Sequence, residues 1–192
     1  MPPPSKFDCT AILMAGGKSS RMGRDKAWLD YHGRPLWQAQ LEKLGFAREI
    51  LISVRETTFT GKPPGYRVVH DEVNGKGPLA GLHAGLKAAT FDRVLVLAVD
   101  MPEMTTGYLR GLVENTTPEV GLAPEAGGFY QGLAAVYPRR TLPLLEEILS
   151  GTDTSFQNLC RQAIAQGFQK ARPISPEEQF LFTNWNRPED LA

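Results

Sequence analysis

Cysteine, histidine and net charge are what this chain has least of. It carries two cysteines, Cys9 and Cys160, and three histidines in 192 residues. Two distant thiols with no companion pair at zinc-ligand spacing exclude a disulfide framework and a structural zinc site, and they fit free thiols in a reducing compartment. Lysine plus arginine balances aspartate plus glutamate at 21 each, so the formal charge is zero. That balance argues against a nucleic-acid binder, which needs a basic excess to displace counterions from phosphate. No apolar stretch approaches the ~20 residues that span a bilayer. The opening Met1-Pro-Pro-Pro-Ser-Lys-Phe-Asp8 lacks the apolar centre of a signal peptide. The expectation is a soluble, cytoplasmic protein with neither membrane nor nucleic-acid partner. Its length suits one well-buried domain rather than two, set out as an unstructured lead-in over 1–9 and a single domain over 10–192.

Against that neutral background the segment from Ala11 to Lys26 stands out. A short apolar run ends in Gly16-Gly17, and Lys18, Arg21, Arg24 and Lys26 follow closely, with Ser19, Ser20 and Gly23 among them. Glycines let a loop turn several backbone N–H groups inward without a Cβ in the way. Such arrays, with cations above them, bind phosphate. Two familiar phosphate loops fail on spacing. A Walker loop needs G-x-x-x-x-G-K and then Ser or Thr; Gly17-Lys18-Ser19 supplies the tail, but Ile12 stands where the first glycine belongs. A dinucleotide fingerprint needs G-x-G-x-x-G, whereas here the glycines are adjacent.

The rest of the chain alternates strand and helix patterns. Thr10 to Ala15, Glu49 to Val54, Tyr66 to His70 and Arg93 to Val99 read as buried strands. Pro35 to Leu44 reads as a helix with Leu36, Gln40, Leu41 and Leu44 on one side, and Gly45 ends it. The small residues of Leu79 to Ala89 suit a helix lying close on a sheet. Val120 to Ala123 and Phe129 to Tyr137 read as a later strand pair, Pro138 to Leu149 and Ser155 to Ala165 as helices, and Phe180 to Thr183 as a last short strand. Strand–helix alternation implies crossovers and a largely parallel sheet. The predicted fold is α/β, a Rossmann-like three-layer sandwich with a mostly parallel, mixed sheet.

In such a sheet, ligands collect beyond the carboxyl ends of the strands. The glycine loop, Asp71 and Asp100 each follow a predicted strand, so the fold would gather them. Asp100, directly after Leu95-Val-Leu-Ala-Val99, suits a magnesium ligand beside phosphates. It equally suits a cap for a helix beginning near Met104. Arg21 and Lys26 suit phosphate contact or plain solvent exposure, whereas Lys18 and Arg24 divide evenly between rim electrostatics and plain solvent exposure.

The run Leu13-Met-Ala-Gly-Gly17 followed by Ser19, Arg21-Met-Gly23 and Asp25-Lys26 resembles the MobA-type molybdenum cofactor guanylyltransferases, within the nucleotidyltransferases that activate sugars, polyols and pterins. Gly77-Pro-Leu-Ala-Gly81, Asp100-Met-Pro102 and Asn184-Trp-Asn186-Arg-Pro-Glu-Asp190 follow in the family's order. The resemblance runs from Thr10 to Leu191. It implies a nucleotide-diphospho-sugar transferase type of fold and transfer of GMP from Mg-GTP to the phosphate of molybdopterin, releasing pyrophosphate. It implies Arg21, Lys26 and Asp100 as catalytic residues and Asp100 as the magnesium ligand. Nucleotide contacts are implied from Met14, Ala15, Gly16, Gly17, Lys26, Ser53, Asp71, Gly77 and Asp100, with Asn184 and Asn186 beside the acceptor. Partners implied are GTP and molybdopterin, together with molybdoenzymes or a companion GTP-binding protein.

The chain departs from the family pattern in places. Ser53 stands where many members have Asn. Trp185 replaces a small apolar residue, Arg187 a threonine, and Gln131-Gly-Leu133 a Gln-Pro-Leu; a basic residue near Thr154 is absent. Asn186 suits helix capping as well as substrate contact. The alternative reading is a related nucleotidyltransferase using CTP on molybdopterin, or a nucleotide on a sugar or polyol phosphate. A rival of another class is a non-catalytic nucleotide-binding scaffold. An acceptor that is already a phosphate monoester needs no general base, which accords with the lack of any Ser-His-Asp or Cys-His arrangement.

Overall fold

The structure is a computed structural model that describes residues 6–16, 26–54, 65–71 and 76–185. Its centre is β1 (Phe7–Met14), in which every residue from Cys9 onward is buried. So apolar a strand is stable only with neighbours on both sides and helices on both faces. It has them: β4 (Ala47–Val54) and β6 (Arg93–Ala98) both run parallel to it. The remaining strands are β2 (Asp30–Tyr31), β3 (Arg34–Pro35), β5 (Arg67–His70), β7 (Gly121–Ala126), β8 (Phe129–Tyr130), β9 (Ala134–Pro138) and β10 (Gln169–Pro173). The main sheet has the order β10-β7-β9-β6-β1-β4-β5, with β8 attached to β7. Antiparallel β9 joins the parallel half to β7, and β10 lies parallel to β7 at the far edge. β2 and β3 form a separate hairpin whose two turn residues, His32 and Gly33, both have positive φ, as a tight primed turn requires.

Alternation along β1 distributes the core. Ala11 and Leu13 face one layer with α1 (Leu36–Lys43) and α3 (Thr106–Glu114), joined by Leu181 and Phe182. Ile12 and Met14 face the other, with α2 (Pro78–Ala88), α4 (Leu142–Ser150) and α5 (Phe156–Ala165). The result is the three-layer mixed sandwich expected. The small residues of α2 do what their size suggests: a Cβ on Gly85 would lie 2.3 Å from Ile12 Cδ1, so the helix sits nearly on β1.

The structure departs from the sequence reading in several places. β1 begins at Phe7, inside the expected lead-in over 1–9. The expected strand from Phe129 to Tyr137 is two pieces, with Gly132 between them under the ring of Phe156. Pro138 ends β9, a 3-10 turn over Arg139–Thr141 follows, and α4 starts only at Leu142. The last strand among the described residues is β10 rather than Phe180 to Thr183; Phe180 to Phe182 end a 3-10 helix over Pro176–Phe182, opened by a Ser175/Glu178 capping box, and Thr183 follows it. Gln-Lys-Ala-Arg-Pro has no apolar alternation; it is a strand because β7 offers it an edge, and Gln169 Nε2 donates to Val136 O at 2.9 Å.

Both cysteines are free and buried, Cys9 in β1 and Cys160 in α5. Burial pushes each thiol up from the ordinary 9.0 to about 11. A raised thiol pKa leaves little thiolate at pH 8, and the folded chain denies it access as well. Ellman's reagent at pH 8 is therefore expected to find no thiol in the native protein and both after denaturation. Rapid labelling of either thiol in the native state would contradict this packing.

Candidate functional site

Register decides what meets at the carboxyl edge of the sheet. Met14 lies opposite Ser53 on one side and Ala98 on the other, and Val54 lies opposite His70. The strand ends are therefore level, and the residues just beyond them are neighbours. Ala15 N donates to Ser53 O at 2.9 Å, Asp71 N to Val54 O at 3.4 Å and Val99 N to Met14 O at 3.1 Å. Ala15 is buried and Gly16 half-buried as the chain leaves β1.

Two groups of side chains form along this edge. The first lies beneath the start of α2. Ser53, which is buried, donates from Oγ to Asp71 Oδ1 at 3.5 Å. A Cβ added to Gly81 would sit 2.5 Å from Ser53 Oγ, 2.6 Å from Met14 Cε and 3.1 Å from Asp71 Oδ1. Met14, Ser53 and Asp71 thus converge on one point, and only a glycine lets α2 approach it. Gly77 precedes the helix with φ 63° and ψ −153°, a region essentially closed to residues with a Cβ. Pro78 then opens α2, where its missing N–H costs nothing.

The second group joins parts of the chain 74 residues apart: Lys26 Nζ donates to Asp100 Oδ2 at 2.9 Å. The two side chains are 20% and 23% exposed, neither sealed off nor freely solvated. Lys26 opens a 3-10 turn, Lys26–Trp28, in which Ala27 is fully buried and Trp28 meets Trp37 of α1 edge-on at 5.8 Å. Asp100 does not cap the following helix. That position belongs to Thr105, whose side chain accepts from Tyr108 N.

The turn carrying Asp100 is held by donors that sequence reasoning assigned no role. Gln40, fully buried on α1, donates from Nε2 to Val99 O at 3.1 Å and to Met101 O at 2.7 Å. Lys43, one turn further along α1, donates to Pro102 O at 2.5 Å. Asp100 O accepts from Trp185 N at 2.9 Å. Burial pushes the Lys43 ammonium down to about 8; Glu103 opposes the shift and Arg34 adds to it. The available signal was a glutamine on the apolar stripe of a helix, a place where polar residues are uncommon.

Trp185 also packs on Tyr31 of the hairpin, ring centroids 5.5 Å apart, so exposed Asn184 lies beside the Asp100 turn. Arg21, Gly17 and Asn186, with Lys18 and Arg24, lie outside the described residues. None of the three histidines takes part in the two groups. His32 is in the hairpin turn, His70 is exposed at the end of β5, and His83 pairs with Glu146 across α2 and α4 at 3.2 Å.

Among the described residues no three acidic, histidine or cysteine side chains gather as a metal cage, and no helix is long and apolar enough to cross a membrane. One hard, partly exposed carboxylate is what magnesium uses when phosphate and water complete its shell, so Asp100 fits that ion.

A family model described as the MobA-like NTP transferase domain matches residues 11–169. A probable molybdenum cofactor guanylyltransferase of Opitutus terrae is 35% identical over 182 residues, 93% of this chain and 90% of the relative. A molybdenum cofactor guanylyltransferase of Pseudomonas putida is 32% identical over 188 residues, covering 95% of each. The crystal structure of molybdopterin-guanine dinucleotide biosynthesis protein A from Archaeoglobus fulgidus shares the fold with a TM-score of 0.76 at 22% identity, covering 95% of this chain and 94% of that one. The chain is accordingly a nucleotidyltransferase and belongs to the MobA-type molybdenum cofactor guanylyltransferase family.

Proposed function

We propose that this protein transfers GMP from GTP to the phosphate of molybdopterin, giving molybdopterin guanine dinucleotide and pyrophosphate. The observation that carries the proposal is the meeting of Lys26 with Asp100 on the same sheet edge as the Met14–Ser53–Asp71 group. The activity named for the relatives supports the choice of nucleotide and acceptor.

In this reading an oxygen of the acceptor phosphate attacks the α-phosphorus of GTP. The bond from the α-phosphorus to its bridging oxygen breaks, and that oxygen leaves with its electron pair on pyrophosphate. A phosphate monoester is largely dianionic at neutral pH, its second pKa being about 6, so no side chain need remove a proton. That no histidine is bonded into either group accords with this. What the protein must supply is position and positive charge.

Asp100 would hold magnesium, which when bound neutralises phosphate charge. Lys26 and Asp100 pair with each other; with Asp100 holding the cation, Lys26 would be placed to contact the triphosphate. On the strength of the family pattern, Arg21 extends that cationic frame and Gly16 and Gly17 offer backbone N–H groups to the phosphates. The end of β4 at Ser53, Gly77 with the start of α2 up to Gly81, and Asp71 take the nucleoside, with backbone groups at the helix start reading the base edge. Asn184 and Asn186 serve the acceptor side.

GTP with magnesium should protect the protein against heat far better than CTP or ATP. At a hundredfold excess over Kd, bound ligand adds about 2.7 kcal/mol, and in a domain of this size each kcal/mol moves Tm by roughly 2–4 °C. Equal protection by CTP would remove the guanine assignment. Asp100→Ala and Lys26→Met are each expected to cut pyrophosphate release by ~100-fold or more, the usual cost of losing charge stabilisation at a transition state. Asp100→Ala should also abolish the normal magnesium dependence. Full turnover with that dependence unchanged would remove Asp100 from the metal site.

A further inference from the structure

Every backbone carbonyl from Val99 to Pro102 has a donor from elsewhere in the fold. Val99 O and Met101 O take the two bonds of Gln40 Nε2, Asp100 O takes Trp185 N–H, and Pro102 O takes the Lys43 ammonium. Met101 O accepts a local bond as well, from Met104 N at 3.2 Å. A turn at the end of a strand ordinarily bonds to water and keeps some freedom. This one is fixed on both sides of its aspartate by a single buried amide.

Gln40 is an expensive residue for the purpose of stability alone. It is fully buried on α1, between Ala39 and Leu41, both themselves buried. Both of its bonded neighbours are carbonyl oxygens, so the NH2 group must face them, and Oε1 then has no partner among the described residues. An unpaired buried oxygen works against folding. An apolar side chain of similar length would fill the space without that cost, but could not bridge Val99 and Met101. Lys43 lies three positions along the same helix, and so on the same face, and adds a third bond to the same turn.

We propose that Gln40, assisted by Lys43, is a positioning residue that orients the Asp100 carboxylate toward its divalent cation and thereby sets the affinity for that cation. The inference rests on the reading of Asp100 given under Proposed function. It adds that α1, which contributes no group to the phosphates, governs the metal site through the backbone. Groups behind a metal ligand commonly change metal affinity by ~10–100-fold when removed.

The test uses Gln40→Met, similar in length and unable to donate. Binding of Mn2+ in the presence of GTP, followed by water-proton relaxation, should weaken by ~10-fold or more, while the melting profile stays cooperative and metal-free GTP binding is unchanged. The magnesium concentration for half-maximal turnover should rise in parallel. In an Asp100→Ala background, Gln40→Met should add nothing to either loss, because residues acting through one another are not additive. Wild-type Mn2+ affinity in folded Gln40→Met would overturn the inference. So would an undiminished effect in the Asp100→Ala background. If Gln40→Met does not fold, Lys43→Met carries the test, with Mn2+ affinity expected to fall by a few-fold and no change overturning the inference. Normal metal binding in Asp100→Ala alone would instead overturn the metal assignment itself, a different result from a silent Gln40→Met.

Discussion

The site depends on the register of β1 between its two parallel neighbours. Met14 opposite both Ser53 and Ala98 makes three strand ends level. Side chains alternate along a strand, so a slip of one residue would exchange Ile12 and Met14 with Ala11 and Leu13 and invert both cores at once. The apolar content of the two faces therefore fixes the register, and the register fixes which polar residues meet beyond it. Core packing and site geometry here have one cause.

The same constraint explains why α2 is rich in small residues. With β1 so tightly flanked, a helix covering it must come close, and Gly85 over Ile12 and Gly81 over the Met14–Ser53–Asp71 group permit that. A glycine inside a helix costs roughly 1 kcal/mol relative to alanine. Burial of Leu79, Leu82 and Leu86 offsets this: a fully buried leucine contributes about 1.5–3 kcal/mol. At Gly85 the gain is packing. At Gly81 it is close approach to a hydroxyl, a thioether and a carboxylate, against which a Cβ would clash. One helix thus seals the core at one turn and rests on the polar strand-end residues at the next.

Much of this was legible in the chain, for physical reasons. The parallel strands announce themselves as apolar runs because they are buried on both faces, and Asp100 and Asp71 follow such runs directly. Helices α1, α2 and α5 were found to within a residue or two from periodicity and caps. What stayed hidden was set by tertiary partners. β10 is polar and becomes a strand by pairing with β7, while Phe180 and its neighbours, apolar enough for a strand, instead bury Leu181 and Phe182 against the α1–α3 layer. Gln40 sat correctly on the buried stripe of α1, but its bonds lie 59 and 61 residues away in sequence, a separation that no local pattern encodes. Thr105 rather than Asp100 caps α3, a distinction of a few residues that only backbone direction decides.

The Lys26–Asp100 pair is best understood as a charge balance held ready for exchange. A partly buried ammonium or carboxylate alone loses hydration without return, and each would be driven to rearrange. Paired at 2.9 Å, each satisfies the other while both stay within reach of solvent. Under the proposed function, Asp100 would hold the cation and Lys26 would meet the nucleotide's phosphates. One ion pair is then replaced by two, and neither protein charge is left uncompensated at the end. For that exchange to proceed without the site collapsing, something other than the pair must hold Asp100 in place. The carbonyl bonds from Gln40, Lys43 and Trp185 engage the backbone and leave the carboxylate itself unencumbered. The turn can keep its shape while its side chain changes partner, which is what the proposed exchange requires.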